Sequence, residues 1–265
     1  MNIFKHIAIV LVMSLHVYAE GSNEACKPSV MVHNFSSGQK QGAIHWNSTP
    51  AFVGYRNGDV IWRKGMENSV DAFFKSHHES AKEMVKKIEA LVANHNGKTF
   101  TLTASSDHTG VDIWANGKVI QIFGNWREPI RLEAFSQDEK MTIDQVNEDE
   151  KKKWLSLPNE IRMLLTSIVD FNPPDKVKWC PEKIILSLQE PLIGTPQSKV
   201  IWPKEWPRTF VPDSRGRFWR KVILQGTMLG KILEKIPDDG QPRAIVLDDE
   251  IRYPNLRLIF PGEEE

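Results

Sequence analysis

Cysteine is almost absent from this chain: there are two, Cys26 and Cys180, among 265 residues. With no Cys-x-x-Cys and no Cys/His cluster, a redox-active dithiol and a structural zinc site are both excluded. Charge of one sign is absent as well, since 34 Lys and Arg stand against 34 Asp and Glu. No net field therefore draws the chain to nucleic acid or to a membrane surface. Beyond the first residues no apolar stretch approaches the roughly 18 to 20 needed to span a bilayer, so stable membrane insertion is not expected. Nothing in the chain has the form of a Gly-x-Ser-x-Gly elbow or a phosphate-binding loop, and no resident cofactor is expected.

What is present begins with residues 1–19, which read as a secretory signal peptide. Lys5 and His6 give a weakly basic start, Ile7 to Leu15 form a short apolar run, and Val17-Tyr18-Ala19 offers a cleavage site before Glu20. The expected location is exported, periplasmic or extracellular. Ser22 to Ala25 are too polar for a lipoprotein leader ahead of Cys26. In an oxidising compartment an even pair of cysteines favours a Cys26–Cys180 disulfide, closing a very long loop.

Local signals predict a mixed α+β fold of antiparallel hairpins packed with helices, arranged as two related lobes. Ala51–Arg56 and Asp59–Lys64 flank Asn57-Gly58, and Val111–Trp114 and Lys118–Phe123 flank Asn116-Gly117, two hairpins with type I′ turns expected. A helix capped by Asn68 or Ser69 is expected through Val70, Phe73, Phe74, His77, Ala81, Met84, Ile88 and Leu91, ending at Asn96-Gly97. A strand region follows from Lys98 to Ser105, and a helix starts at Leu157-Pro158-Asn159-Glu160. Glu182–Leu188 and Phe218–Leu224 read as strands, Thr227–Ile236 as a short helix, and Ala244–Leu247 with Leu256–Phe260 as the last strands. Five prolines between Glu190 and Asp213 predict irregular structure there. These signals divide the chain into residues 20–135, a charged connector over 136–153, and 154–265.

Thr49-Pro50-Ala51-Phe52 leading into Tyr55-Arg56-Asn57-Gly58-Asp59-Val60, with the ending Leu256-Arg257-Leu258-Ile259-Phe260-Pro261-Gly262-Glu263, resembles a layout of exported bacterial proteins of uncharacterised function. Those chains carry an Asp-Gly hairpin after a Pro-x-aromatic start and finish on an Arg-Pro-Leu-Leu-Pro-like strand. Here Asn57 stands for the Asp and Leu258 for the first Pro, and about a tenth of the chain is covered. The resemblance implies export and an α+β fold, and brings no activity with it.

Three segments bear on chemistry. Ser105-Ser106-Asp107-His108 contains the residue types of a hydrolase, but neighbouring side chains in extended structure diverge, so a polar turn is the simpler reading. His77-His78-Glu79 lacks the four-residue spacing by which helical histidines share a metal; no metal site is assigned, and His77 reads as the boundary of an apolar stripe. Trp202-Pro203-Lys204-Glu205-Trp206-Pro207-Arg208 is a proline-stiffened loop with aromatic and guanidinium groups, the composition of an interface hot spot, and the bland alternative is that its rings cover the core. The leading expectation is a protein-binding, inhibitor-like or immunity-type role through Trp202, Trp206 and Arg208, with another protein as partner. The alternatives are a hydrolase using His108 with Asp107 or a nearby serine, and a carbohydrate binder stacking sugars on exposed tryptophans.

Overall fold

A computed structural model describes residues 27–36, 49–64, 73–102, 109–124, 148–190, 198–212, 219–236 and 243–263. The leader, Cys26, the serine-rich Asp107-His108 segment and residues 136–147 of the connector lie outside the described residues. Fourteen strands and four helices make up the described part, a mixed α+β fold with two open sheets. The first sheet has the order β5-β7-β6-β1-β2-β3-β4-β8. Its strands are β1 (Pro28–Ser36), β2 (Phe52–Tyr55), β3 (Val60–Arg63), β4 (Phe73–Ser76), β5 (Thr99–Thr101), β6 (Thr109–Ala115), β7 (Lys118–Phe123) and β8 (Val177–Lys178). The second, ordered β10-β13-β14-β9-β12-β11, holds β9 (Lys183–Gln189), β10 (Lys199–Ile201), β11 (Val211–Pro212), β12 (Trp219–Gln225), β13 (Ala244–Leu247) and β14 (Glu250–Ile259). The two strand orders do not repeat one another.

Both Asn-Gly hairpins form, by different turns. At Asn116-Gly117 both residues have positive φ, +48° and +78°, and Ala115 pairs directly with Lys118, so this is the type I′ turn. At Asn57-Gly58 only Gly58 is left-handed, at +89°. Tyr55 N–H donates to the Asp59 carbonyl and Gly58 N–H to that of Tyr55, which makes a three-residue loop closed by a bulge at Gly58. A third hairpin, between β13 and β14, turns on Asp248 and Asp249, at +50° and +65°. Aspartate tolerates this region because its short side chain hydrogen-bonds locally.

The expected helix from residue 68 is corrected at its start. Phe73–Ser76 is β4, paired with β3 from Val60↔Ser76 to Arg63↔Phe73. The helix, α1, runs Glu79–His95, and His78, not Asn68 or Ser69, caps it by accepting from Ser80 N–H at 3.2 Å. Phe73 and Phe74 imitate helical spacing, but pairing along β3 decides their conformation; Asn68, Ser69 and Val70 lie outside the described residues. From Ala81 onward the stripe is as expected, with Ala81, Met84, Val85, Ile88, Leu91 and Val92 buried. The proline-rich stretch is also more ordered than its sequence predicts, since it contains the short edge strands β10 and β11.

Two further helices, α2 (Glu148–Ser156) and α3 (Asn159–Val169), join α1 on one face of the first sheet. Trp154, Leu157, Ile161, Leu164, Leu165 and Ile168 pack there with Val30, Phe52, Trp62 and Ile113, and β8 extends the same sheet beside β4. Residues 154–178 therefore belong structurally to the first sheet, although the charged connector suggested a boundary before them. Gly54 lets α1 lie close, because a Cβ there would stand 2.5 Å from a Val85 methyl and 2.7 Å from one of Val30.

The other face of the same sheet carries Val53, Tyr55, Ile61 and Phe73, and these pack against Ile184, Leu186, Leu256 and Leu258 of the second sheet. That is why β2 and β3 are buried at every position. The remaining helix, α4 (Met228–Lys235), adds Leu229 and Ile232 to this second core. One buried hydrogen bond crosses between the layers: Leu258 N–H donates to Thr49 Oγ1 at 3.2 Å. Thr49→Val keeps the shape and removes the acceptor, leaving a buried N–H unpaired at a cost of about 1 to 3 kcal/mol. The urea midpoint should fall with the slope unchanged, and Thr49→Ser should retain most of the stability; a valine variant as stable as wild type would show that the bond contributes nothing.

Candidate functional site

The loop singled out by sequence is ordered, and its rings point inward. Trp202 is 2% exposed and Trp206 5%, their rings meet edge-to-face at 5.1 Å, and Phe210 stands 5.5 Å from Trp202. Both tryptophans belong to the second core. The expectation that they present indole faces to a partner is thus corrected: apolar area of this size beside an open sheet face is driven into the core. What the loop offers outward is Arg208.

Arg208 stands at one end of the inner face of the second sheet. Positions 220, 222 and 224 of β12 share a face, as do 252, 254, 256 and 258 of β14, so Arg220 and Arg252 prolong the rows that bury Val222, Leu224, Leu256 and Leu258. Where the core ends, these three arginines surround a recess of about 270 Å³ floored by Leu188, Phe210 and Leu247. Two of them are already held. Arg252, 14% exposed, pairs with Glu190 at 3.0 Å and with Glu250, and Arg208 pairs with Asp248 of the β13–β14 turn. Arg220 is exposed and makes no ion pair among the described residues.

Sequence reasoning singles out Arg208, reads Arg220 only as one member of the cationic run Arg215-Gly216-Arg217-Phe218-Trp219-Arg220-Lys221, which could steer an anionic partner, and misses Arg252. The three lie on separate elements and are brought together only by the strand register, although the β12 alternation Arg220, Val222, Leu224 puts Arg220 on the apolar face.

A second polar cluster surrounds the β4–α1 junction. Asp59 receives Lys75 Nζ at 3.0 Å and His77 Nδ1 at 2.7 Å, while Asn57 Nδ2 donates to it at 3.2 Å. Asp175, in the loop before β8, accepts from Ser76 Oγ and from His77 N–H. His77 is therefore a surface residue tied to a carboxylate, not the edge of the apolar stripe. Partial burial, the largest single influence, raises the Asp59 pKa, but the hydrogen bonds from Lys75 and His77, the Lys75 charge and Asn57 together hold it below its ordinary value of 3.8. The Ser76 hydroxyl, ahead of the His77 amide, likewise holds Asp175 low. Among the described residues no three His, Cys, Asp or Glu side chains converge as a metal site.

A third recess, about 410 Å³, is lined by Lys75, Trp179, Cys180, Glu182, Lys183 and Glu263. The Trp179 ring is stacked on Phe260 at 5.0 Å and 7°, so one of its faces is covered. Cys180 is an exposed free thiol. Cys26, its expected bridging partner, lies outside the described residues. The Asp107-His108 segment lies outside the described residues, and no helix among the described residues is long and apolar enough to cross a membrane.

Compared with protein families, curated proteins and solved structures, the chain matches none of them.

Two outcomes are expected. Because the folded pKa of Asp59 lies below its unfolded value, its contribution to stability is complete well above pH 3.8 and is lost as pH falls through and below that value. Asp59→Asn should flatten the acid limb of the stability–pH curve, read by urea melts from neutral pH to pH 2. Cys180 should react with a small thiol reagent in native, unreduced protein, and peptide mapping should locate an adduct at Cys180 that Cys180→Ser abolishes; a Cys180 that takes up label only after reduction would show that it is bridged.

Proposed function

We propose that this chain is an exported binding protein of the inhibitor or immunity type, acting through protein contact, and that the arginine-lined recess receives an acidic segment of its partner. The observation that carries this reading is Arg220: an exposed guanidinium without an ion pair among the described residues, beside two arginines already held by carboxylates and above an apolar floor. Arginine presented with apolar surroundings is the composition of binding hot spots, and its planar fork suits a carboxylate. Trp202, Trp206 and Phe210 support the reading from beneath, because a loop locked by buried rings loses little freedom on association. Export is supported by residues 1–19 and by the resemblance to exported bacterial chains.

Among the described residues the sugar-stacking alternative is supported by the Trp179 recess, where Phe260 already occupies one ring face. The hydrolase alternative rests on Asp107 and His108, outside the described residues.

Capture of partners from envelope and extracellular fractions by immobilised wild-type chain, with Arg220→Glu beside it, tests the proposal. A partner retained by wild type should be lost, or its affinity reduced about tenfold or more, in the charge-reversed variant at an unchanged thermal midpoint. Equal retention would place the contact surface elsewhere.

A further inference from the structure

The second sheet ends on an open edge at β10. Trp202 N–H donates to the Val246 carbonyl at 2.9 Å and Ala244 N–H to that of Ser198 at 3.0 Å, so residues 198, 200 and 202 carry the pairing with β13. In such a ladder successive residues aim their peptide groups to opposite sides, and the N–H and C=O of Lys199 and Ile201 therefore point away from the sheet. No described strand lies beyond β10. The opposite edge differs, because β11 holds Pro212, which has no N–H to offer.

Lys199 and Ile201 also share a face, the outer one, because Val200 between them turns inward against the second core. Ile201 is 79% exposed, more than any other large apolar side chain among the described residues. Lys199 is exposed and makes no ion pair among the described residues: Ala244 stands opposite it on β13, Arg208 and Arg252 hold Asp248 and Glu250, and Glu205 of the following loop makes no bond to it. A short strand bearing a lysine guards an edge, but an exposed isoleucine beside it does the opposite. At one edge of the first sheet, β5 instead shows Thr99 and Thr101.

We infer that the β10 edge takes up an extended acidic segment of a partner protein as a further antiparallel strand. Charge selects this occupant, since the charged side chain that β10 presents is a cation, and the edge runs toward the arginine recess: Ile201 pairs with Val246, two residues before the Asp248 that holds Arg208. A second copy would set β10 against β10. That overlap of three residues falls short of the about 800 Å² per partner of a stable interface and brings two lysines into one ladder with no acid between them. The inference rests on the reading above for the acidic character of the partner, and adds the backbone by which it is held. The added strand places a carboxylate opposite Lys199 and, two residues away on the same face, an apolar side chain opposite Ile201.

The test titrates the full chain with a synthetic peptide of repeat Glu-Thr-Val-Thr and follows amide hydrogen exchange residue by residue. The amides of Lys199 and Ile201 should exchange fast in the free chain and slow about tenfold or more at saturating peptide, while that of Trp202, already bonded to Val246, stays as it was. The same peptide N-methylated at its Glu and Val residues, and a Lys-Thr-Val-Thr repeat, should each bind at least about tenfold more weakly. Lys199→Glu should reverse the choice between the two repeats at an unchanged thermal midpoint. Protection of Lys199 and Ile201 should persist in Arg220→Glu, even if that variant keeps every captured partner and so removes the recess reading. Binding that is lost in Arg220→Glu and leaves both amides unprotected would overturn the edge and keep the recess. Absence of peptide binding, equal binding of both repeats, or protection in the free chain that rises with its own concentration, the mark of a second copy, would each overturn the inference.

Discussion

The double burial of β2 and β3 is the constraint on which the rest of the architecture depends. Alternation sends Phe52, Val60 and Trp62 to one side and Val53, Tyr55 and Ile61 to the other, and all are large and apolar. Neither face tolerates water, so each needs its own cover. The helices α1, α2 and α3 supply one layer and the second sheet supplies the other. The second sheet is thereby oriented with its inner face against the first, and the end of that face, where the core runs out, is where Arg208, Arg220 and Arg252 gather.

The recess illustrates how a cluster of charged side chains arises from a packing solution. Trp202 and Trp206 contribute by being hidden, since their burial fixes the course of the chain up to Arg208. Asp248 and Glu250 hold two of the three guanidinium groups in place at the hairpin they flank. A partner carboxylate would meet groups already oriented, with only Arg220 left to be satisfied.

Much of the local structure was legible in the sequence because its causes are local. Asn116-Gly117 makes the turn its residues dictate, and the stripe from Ala81 to Leu91 makes the helix its spacing dictates. What was not legible depends on partners far away in the chain. Phe73 and Phe74 have helical spacing with their neighbours but pair with β3, and β8 owes its existence to the exposed edge of β4. The proline-rich stretch gains β10 only because β13 offers a parallel neighbour. For the loop bearing Trp202 and Trp206, composition indicated rigidity and assigned the wrong face: whether a ring faces core or solvent is decided by the sheet beneath it. Arg220 stands in a basic run, but only register places it beside Arg208 and Arg252.

The hydrogen bond from Leu258 to Thr49 joins residues 209 positions apart, and β14, the last strand, is central to its sheet instead of lying at an edge. A nascent chain therefore cannot complete the sandwich until residue 259 has emerged, since the first sheet waits for a cover that includes β14. Such long-range closure makes for slow folding, with the chain held open while synthesis continues. Under the proposed export, delay of this kind would keep the chain in the form a translocation channel accepts.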